Sequence, residues 1–288
     1  MKVLLTGATG FVGGHLAKQL EESEHTVTAV SRSTGAGIDW SEPGLERAVA
    51  EADAVIHLAG ESIFGKRWSP AQKERIHASR VDTTRTLAQH LARRGSGVLI
   101  HASAVGYYGP RGPESIDESA PSGDDFLAGV CRDLEAASAS AKQAGVRVAA
   151  VRIGVVLGAD GGALKLMRRP FEFGFGGPVG NGRQVFPWIH VEDLARLFLF
   201  LLENEDASGP YNGTAPGTLT SAEFAKTYGK VLGRPAFLPL PGIALRIALG
   251  EVADVLLTGQ RAEPKRALEA GFEFRFPELE GALRDLSR

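Results

Sequence analysis

Through the first half of the chain, short apolar runs alternate with longer stretches in which apolar residues recur every three or four positions. Lys2–Thr6, Thr26–Ser31, Ala54–Ala59, Gly97–Ser103 and Val146–Arg152 are rich in Val, Ile and Leu and read as strands. Between them, Val12–Glu22, Pro43–Glu51, Pro70–Arg93 and Phe126–Ala144 read as helices. Strands that are apolar at nearly every position belong to a parallel sheet covered on both faces. Right-handed crossovers then give an α/β fold with a doubly wound parallel sheet, whose ligands sit at the carboxyl ends of the strands.

After about residue 160 the pattern changes. Gly161-Gly162 and the stretch Gly174–Gly182 are glycine-rich, and Pro210–Thr218 reads as a loop. Val191–Glu203, Ser221–Leu232, Ile243–Leu257 and Glu278–Leu286 carry helical periodicity. This predicts a nucleotide-binding domain over residues 1–160, with 186–216 returning to it. Residues 161–288 should form mainly a smaller C-terminal α+β cap on the substrate side.

Gly7-Ala8-Thr9-Gly10-Phe11-Val12-Gly13 directly follows the first predicted strand and opens the first predicted helix. That context matters, since three spaced glycines alone are a weak signal. Glycine permits a tight turn, close approach of a phosphate to the backbone, and tight helix–strand packing. The helix N-terminus adds free N–H groups and a partial positive charge. Gly7, Gly10, Phe11, Val12 and Gly13 are therefore candidate partners of a dinucleotide pyrophosphate in a Rossmann fold; the plainer reading is a structural glycine turn. The second strand ends Ala29-Val30-Ser31-Arg32, with no carboxylate until Asp39. Ser31 and Arg32 suit a 2′-phosphate, which favours NADP(H), although Arg32 could equally be a solvated surface charge. The small residues after Leu58, Ala59 and Gly60, would let adenine or ribose lie against the backbone, or would simply allow close packing.

Composition narrows the field further. At 288 residues the chain is long enough to bury a full core without disulfide staples, and its lone Cys131 excludes a disulfide framework. A net charge of −2 gives no case for nucleic acid as a partner. No signal peptide is legible at the N-terminus, and the longest apolar run, Leu197–Leu202, is far too short to span a bilayer. The expectation is a cytoplasmic protein with a small-molecule substrate and no membrane partner.

The glycine pattern with Leu58-Ala59-Gly60 resembles the extended short-chain dehydrogenase/reductase superfamily. Four segments resemble one branch of it: Ser103–Gly109, Asp125–Arg132, Gly176-Gly177-Pro178, and Phe186–His190. Leu257–Gln260, Pro264 and Gly271–Phe274 are similar to that branch's own C-terminal domain, so the likeness covers essentially the whole chain. The resemblance implies an NADP-dependent oxidoreductase or epimerase of the NAD-dependent epimerase/dehydratase type, with a sugar-nucleotide substrate.

The chemistry departs from that pattern. The superfamily uses a serine after the fourth strand and a Tyr-x-x-x-Lys pair on the next helix, where lysine lowers the tyrosine pKa for proton transfer. Here the tyrosine slot falls on Phe126 and the lysine slot on Val130, and neither can carry a proton. The serine slot falls nearer Ala104 than Ser103, and the asparagine that commonly opens the helix after the third strand is replaced by Arg80. Ser103 and Tyr107 stand as catalytic candidates, and Arg80 as a cofactor candidate. Tyr107 and Tyr108 could equally pack a loop. Cys131 reads as a small buried hydrophobe or, less simply, a reactive thiol. Arg183, Trp188 and His190 are substrate candidates: a guanidinium for a phosphate or carboxylate, an indole to stack on a ring, and a histidine that could instead cap the helix beginning Val191. No spacing suits a metal. Two functions remain: an NADP(H)-dependent oxidoreductase or epimerase acting on a small polar substrate, or a non-catalytic NADP(H)-binding sensor or scaffold.

Overall fold

The computed structural model describes residues 1–30, 38 and 40–288. Strand β1 (Lys2–Thr6) is followed by helix α1 (Phe11–Glu22), β2 (Thr26–Val30), α2 (Glu42–Glu51), β3 (Ala54–His57), α3 (Pro70–Arg94) and β4 (Val98–Ala104). A short strand, β5 (Gly112–Ile116), leads to α4 (Phe126–Ala137), α5 (Ala139–Gln143) and β6 (Arg147–Ile153). Then come β7 (Val155–Leu157), α6 (Gly162–Glu172), β8 (Val185–Phe186), β9 (Trp188–His190), α7 (Val191–Glu203), β10 (Gly209–Gly213) and β11 (Leu219–Thr220). The chain ends with α8 (Ser221–Leu232), α9 (Gly242–Leu249), α10 (Val252–Leu257), β12 (Gln260–Ala262), α11 (Lys265–Glu269) and α12 (Leu279–Leu286).

Six strands form one parallel sheet in the order β10-β6-β4-β3-β1-β2. Alternation along each strand sends neighbouring side chains to opposite faces. Val3, Leu5, Ile56 and Ile100 therefore meet Leu16 and Leu20 of α1 and Leu194, Phe198 and Leu201 of α7. On the other face Leu4, Val55 and Leu99 meet Leu45 and Val49 of α2 and Leu87 and Leu91 of α3. Both faces are covered, as the near-continuous apolar strands require. The order reverses at β1, between β2 and β3, and this switch point opens a crevice at the carboxyl edge of the sheet.

Local signals set most boundaries. Helix α3 starts where the Ser69 side chain accepts from the Gln72 N–H with Pro70 in the first turn, and stops at Gly95, whose φ of 71° is left-handed. The expected helix Phe126–Ala144 breaks at Ser138, whose hydroxyl donates to the Glu135 carbonyl. Ile243–Leu257 splits into α9 and α10 at Gly250, with a φ of 64°. Pro210–Thr218 was expected to be loop, but its first residues belong to the edge strand β10 (Gly209–Gly213). Gly-Pro-Tyr-Asn-Gly is a poor strand sequence, and pairing with β6 imposes the extended backbone at an edge where proline is tolerated. Helix α6 was hidden by its flanking glycines and internal Pro170.

A third cluster joins Leu164 and Phe171 of α6, Trp188, Phe224 and Tyr228 of α8, and Leu279 and Leu283 of α12. The C-terminal half is not only a cap, because Ala267 and Phe272 pack into the first cluster beside α7. No described helix is long and apolar enough to cross a membrane.

Candidate active site

The glycine loop is shaped by contacts no side chain could share. Gly7 has a φ of 75°, and a Cβ on it would lie 3.0 Å from the Ala59 amide nitrogen. A Cβ on Gly13 would lie 2.1 Å from the Gly7 carbonyl oxygen. The loop is thus pressed against the end of β3 and against its own helix. Gly10 opens α1 without a side-chain cap, and no acidic residue stands in the first turn. The amides of Phe11 and Val12 accordingly begin a helix whose positive end is not neutralised locally. The Phe11 ring turns away and fills the space left by Gly158 and Gly161, where a Cβ would come within 2.4 and 2.2 Å of it.

A hydrogen-bonded strut locks this loop to its neighbours. The Thr6 hydroxyl accepts from the amides of Leu58 and Ala59, both at 3.2 Å, and meets His57 Nδ1 at 2.6 Å. His57 Nε2 meets the Thr83 hydroxyl at 3.0 Å, and Thr83 donates onward to the Ser79 carbonyl at 2.8 Å. Only one proton arrangement satisfies the whole chain: Thr6 donates to Nδ1 and Nε2–H donates to Thr83. The ring is therefore neutral, in keeping with burial, which pushes its pKa down to about 3. Arg80, one helical turn before Thr84, lies along Gly60, where a Cβ would be 3.1 Å from its guanidinium carbon. Its Nη1 donates to the Ile76 carbonyl at 3.2 Å, and among the described residues no carboxylate forms an ion pair with it. Burial lowers its pKa from the usual arginine value, with Cys131 and Glu61 opposing the shift, beside the Leu58-Ala59-Gly60 turn. Ser31 and Arg32 lie outside the described residues.

The ends of β4 and β6 carry a buried ionic network. Ser103 and Arg152 are register partners on these strands and share one face. Glu135 of α4 receives Arg152 Nε at 2.9 Å and Nη2 at 2.8 Å, and also the Ser103 hydroxyl at 2.9 Å. Arg152 Nη1 donates to the Tyr108 hydroxyl at 3.0 Å, which donates to Asn212 Oδ1 at 2.7 Å. Burial works against the Arg152 charge, but the Glu135 bonds outweigh it and hold its pKa above the ordinary arginine value. Burial also raises the Tyr108 phenol to about 12, so it stays protonated. The Tyr107 ring stacks on the Arg152 guanidinium, 3.5 Å from guanidinium carbon to ring centroid. Tyr107 is half-buried, and its hydroxyl forms no hydrogen bond among the described residues.

The start of α4, where the sequence reading places the tyrosine and lysine slots, is partly covered. Asp125 caps α4 by accepting from the Ala128 amide at 2.9 Å. Trp68 meets the Phe126 ring edge-on at 5.2 Å, and Lys73 Nζ stands 5.2 Å from the ring centroid while pairing with Glu251 at 2.6 Å. Val130 and Cys131 are buried, and burial raises the thiol to about 11, which makes it inert rather than reactive.

The three substrate candidates are not brought to this network. Trp188 is fully buried in the third core cluster and its indole N–H donates to the Gly217 carbonyl at 3.0 Å, so it offers no free face for a ligand. His190 caps α7 by accepting from the Glu192 amide at 3.1 Å and stacks on Phe276. Arg183 is exposed on a turn in which its own N–H donates to Asn181 Oδ1 at 2.9 Å. Their residue types suited a ligand, but the fold uses two of them as packing and capping groups. Sequence reading missed Glu135, Arg152 and Lys73. Arg152 had a usable signal: a lone cation inside the apolar run Val148–Ile153 has to find a buried partner. Lys73 had none, because Phe126 lies 53 positions further along the chain.

Taken together, the sheet order, the uncapped glycine loop at its switch point and the C-terminal edge network define a nucleotide-binding Rossmann protein of the short-chain dehydrogenase/reductase type. Its sequence matches the NAD dependent epimerase/dehydratase family over residues 3–212 and a domain of unknown function, DUF1731, over residues 240–286. The chain belongs to the NAD dependent epimerase/dehydratase family. It is 42% identical over 293 residues to the mouse (Mus musculus) epimerase family protein SDR39U1, covering 99% of each chain. It is 41% identical to a chloroplastic SDR39U1 homolog of Arabidopsis thaliana, covering 99% of this chain and 86% of that one. Among solved structures, human SDR39U1 (isoform 2) with NADPH superposes with a TM-score of 0.91 at 39% identity, covering 100% of this chain and 99% of that one. UDP-glucose 4-epimerase from Thermotoga maritima, at 19% identity and a TM-score of 0.78, shares the fold.

Proposed function

We propose that the protein binds NADP(H) across the β1–β3 switch point and acts as an oxidoreductase or epimerase on a small polar or nucleotide-linked substrate. One observation carries the reading: the Gly7–Gly13 loop ends in an uncapped helix N-terminus, pressed against Ala59. That donor set suits a pyrophosphate, and the NADPH in the human relative's structure supports the same cofactor here. Phe11 and Val12 offer amides to the phosphates, while Gly7, Gly10 and Gly13 keep side chains out of the approach. Leu58, Ala59 and Arg80 flank the adenine and ribose side, and Ser31 with Arg32 meet a 2′-phosphate. When bound, the nicotinamide supplies or accepts hydride.

The proton comes from outside the superfamily's usual pair, since Phe126 and Val130 cannot hold one. Tyr107 is the group we assign to it, because its hydroxyl is free while its ring is fixed against Arg152. Glu135 holds Arg152 and Ser103 in place, and Ser103, which donates to Glu135, keeps lone pairs to accept from a ligand. The covering of Phe126 by Trp68 and Lys73 favours a second reading, a sensor or scaffold that binds NADP(H) without turnover.

Calorimetric titration with NADPH and NADH tests the cofactor assignment. NADPH should bind more tightly, and Arg32→Ala should cost about 1.5–3 kcal/mol of that preference; equal affinities in the wild type would overturn it. Nicotinamide fluorescence of the loaded protein, followed during incubation with nucleotide sugars and cell extracts, separates the enzyme from the sensor. Oxidation of bound NADPH, or an epimerised sugar formed with no net change in the cofactor, supports the enzyme, and tight binding with neither supports the sensor.

A further inference from the structure

The large apolar side chains left in solvent are concentrated in one part of the molecule. Leu166, Phe173, Phe175, Phe237, Ile243 and Ile247 are each between 68% and 78% exposed. They lie on connected elements. Leu166 of α6 and Phe173 at its C-cap are seven positions apart, on the side opposite buried Leu164 and Phe171. The segment carrying Phe175 runs beside the one carrying Phe237, joined by Leu238 N–H to the Gly176 carbonyl at 3.1 Å and Leu240 N–H to the Pro178 carbonyl at 2.9 Å. That second segment leads into α9, where Ile243 and Ile247 are one turn apart and only Leu245 is buried. Residues 235–249 contain a single charge, Arg246, yet most of them are exposed. Interior packing explains neither helix's outer stripe.

The charges beside these stripes are of one dominant sign. Lys165, Arg168 and Arg169 flank Leu166 on α6, Arg234 precedes the Phe237 segment, and Arg246 lies between Ile243 and Ile247. Arg168 pairs with Glu172 at 2.6 Å and Arg246 with Asp254 at 3.1 Å, while Lys165, Arg169 and Arg234 form no ion pair among the described residues. This is a local cationic excess on a chain of net charge −2. Arg and Phe also occur at protein interfaces, but a cationic excess on long side chains interleaved with Phe, Leu and Ile complements a headgroup layer, where the apolar groups enter and the cations reach back to phosphates.

From this complementarity we infer that the α6–α9 face docks peripherally on an anionic lipid surface. Such attachment needs no spanning helix, so it is compatible with the absence of one among the described residues. It also sets the cofactor mouth relative to the membrane, because Arg67, in the loop after Gly60, donates to the carbonyls of Ile247 and Ala248 at the end of α9.

Vesicle flotation of the full chain tests the inference. Protein should float with phosphatidylcholine–phosphatidylglycerol vesicles and not with phosphatidylcholine alone, and raising the salt should weaken flotation. The double variant Phe173→Ser/Phe175→Ser should lose about tenfold or more in vesicle affinity, as should Lys165→Glu/Arg169→Glu, each reversed charge counting near the surface. Circular dichroism and NADPH titration of each variant establish that it is folded. Absence of flotation with anionic vesicles overturns the inference, and so does flotation that neither folded variant changes. Sedimentation showing a dimer that Phe173→Ser/Phe175→Ser dissociates, with no vesicle binding, reassigns the face to a second copy of the chain and equally overturns it.

Discussion

Two helix N-termini stand at the same carboxyl edge of the sheet and are treated in opposite ways. That of α1 is uncapped, has no acid in its first turn and is lined by glycines that keep its approach clear. That of α4 is capped by Asp125 and covered by Trp68 and by Lys73, which Glu251 holds. A bare helix end attracts an anion, whereas a capped and covered one serves as a fixed wall. On the proposed reading the α1 end serves the cofactor, while the α4 end, where Phe126 and Val130 stand, is packing. The polar groups of the α4 side lie deeper, at Glu135, Arg152 and Ser103.

The largest expected effect lies on the α4 side. Glu135→Ala strands the buried Arg152 charge and should cost about 3–5 kcal/mol of stability. Urea unfolding measures it, and adding Arg152→Met should recover part of the loss; an unchanged midpoint would show that the network does not anchor this edge. On the α1 side, Gly10→Val places a branched side chain at the phosphate approach, with its Cβ 3.1 Å from the Gly7 carbonyl oxygen. NADPH affinity should fall about a hundredfold, close to 3 kcal/mol, with the sheet still folded. A folded variant that binds normally would place the cofactor elsewhere.

A pH series probes both sides together. His57 supports the α1 loop, and His101 lies on the neighbouring strand toward α4. Burial lowers their pKa values to about 3 and about 4, below those of the unfolded chain. Above the unfolded value both states are neutral and nothing changes. As pH falls through 6.5 toward 4 the unfolded chain takes up protons that the folded one refuses, so stability drops by about 1.4 kcal/mol per pH unit for each histidine. Chemical denaturation between pH 7 and 4.5 reads the slope, and His101→Leu should reduce it by about 1.4 kcal/mol per pH unit. A flat profile would mean that these rings take up protons while folded.

The smallest effect is expected at Phe126, to which the sequence reading assigns the tyrosine slot. Phe126→Tyr returns a phenol but no lysine at Val130, and Lys73 is held by Glu251. Once a substrate is known, turnover of this variant should stay within about a few-fold of wild type, whereas Tyr107→Phe should lower it about a hundredfold. A large gain from Phe126→Tyr would mean that the partly covered helix end opens to the cofactor after all.

The sequence by itself determined the parallel sheet, because near-continuous apolar strands can be satisfied only by covering both faces. It determined the Gly7–Gly13 loop as well, since a turn, a close approach and a packing contact each demanded glycine at a fixed spacing. Both are local properties, written in consecutive residues. Tertiary structure decided what a local pattern cannot carry. Gly209–Gly213 became a strand only because β6 offered an edge. Trp188 became core, and the ring of His190, whose capping role was already legible locally, was fixed against Phe276, because the C-terminal elements close over them. Arg152 and Glu135, 17 residues apart, found each other because β6 and α4 meet there. Lys73 came to cover Phe126 because α3 packs along α4. A charge, an indole and an imidazole have the same residue identity in a cleft or in a core, and only the elements packed around each decide which chemistry it performs.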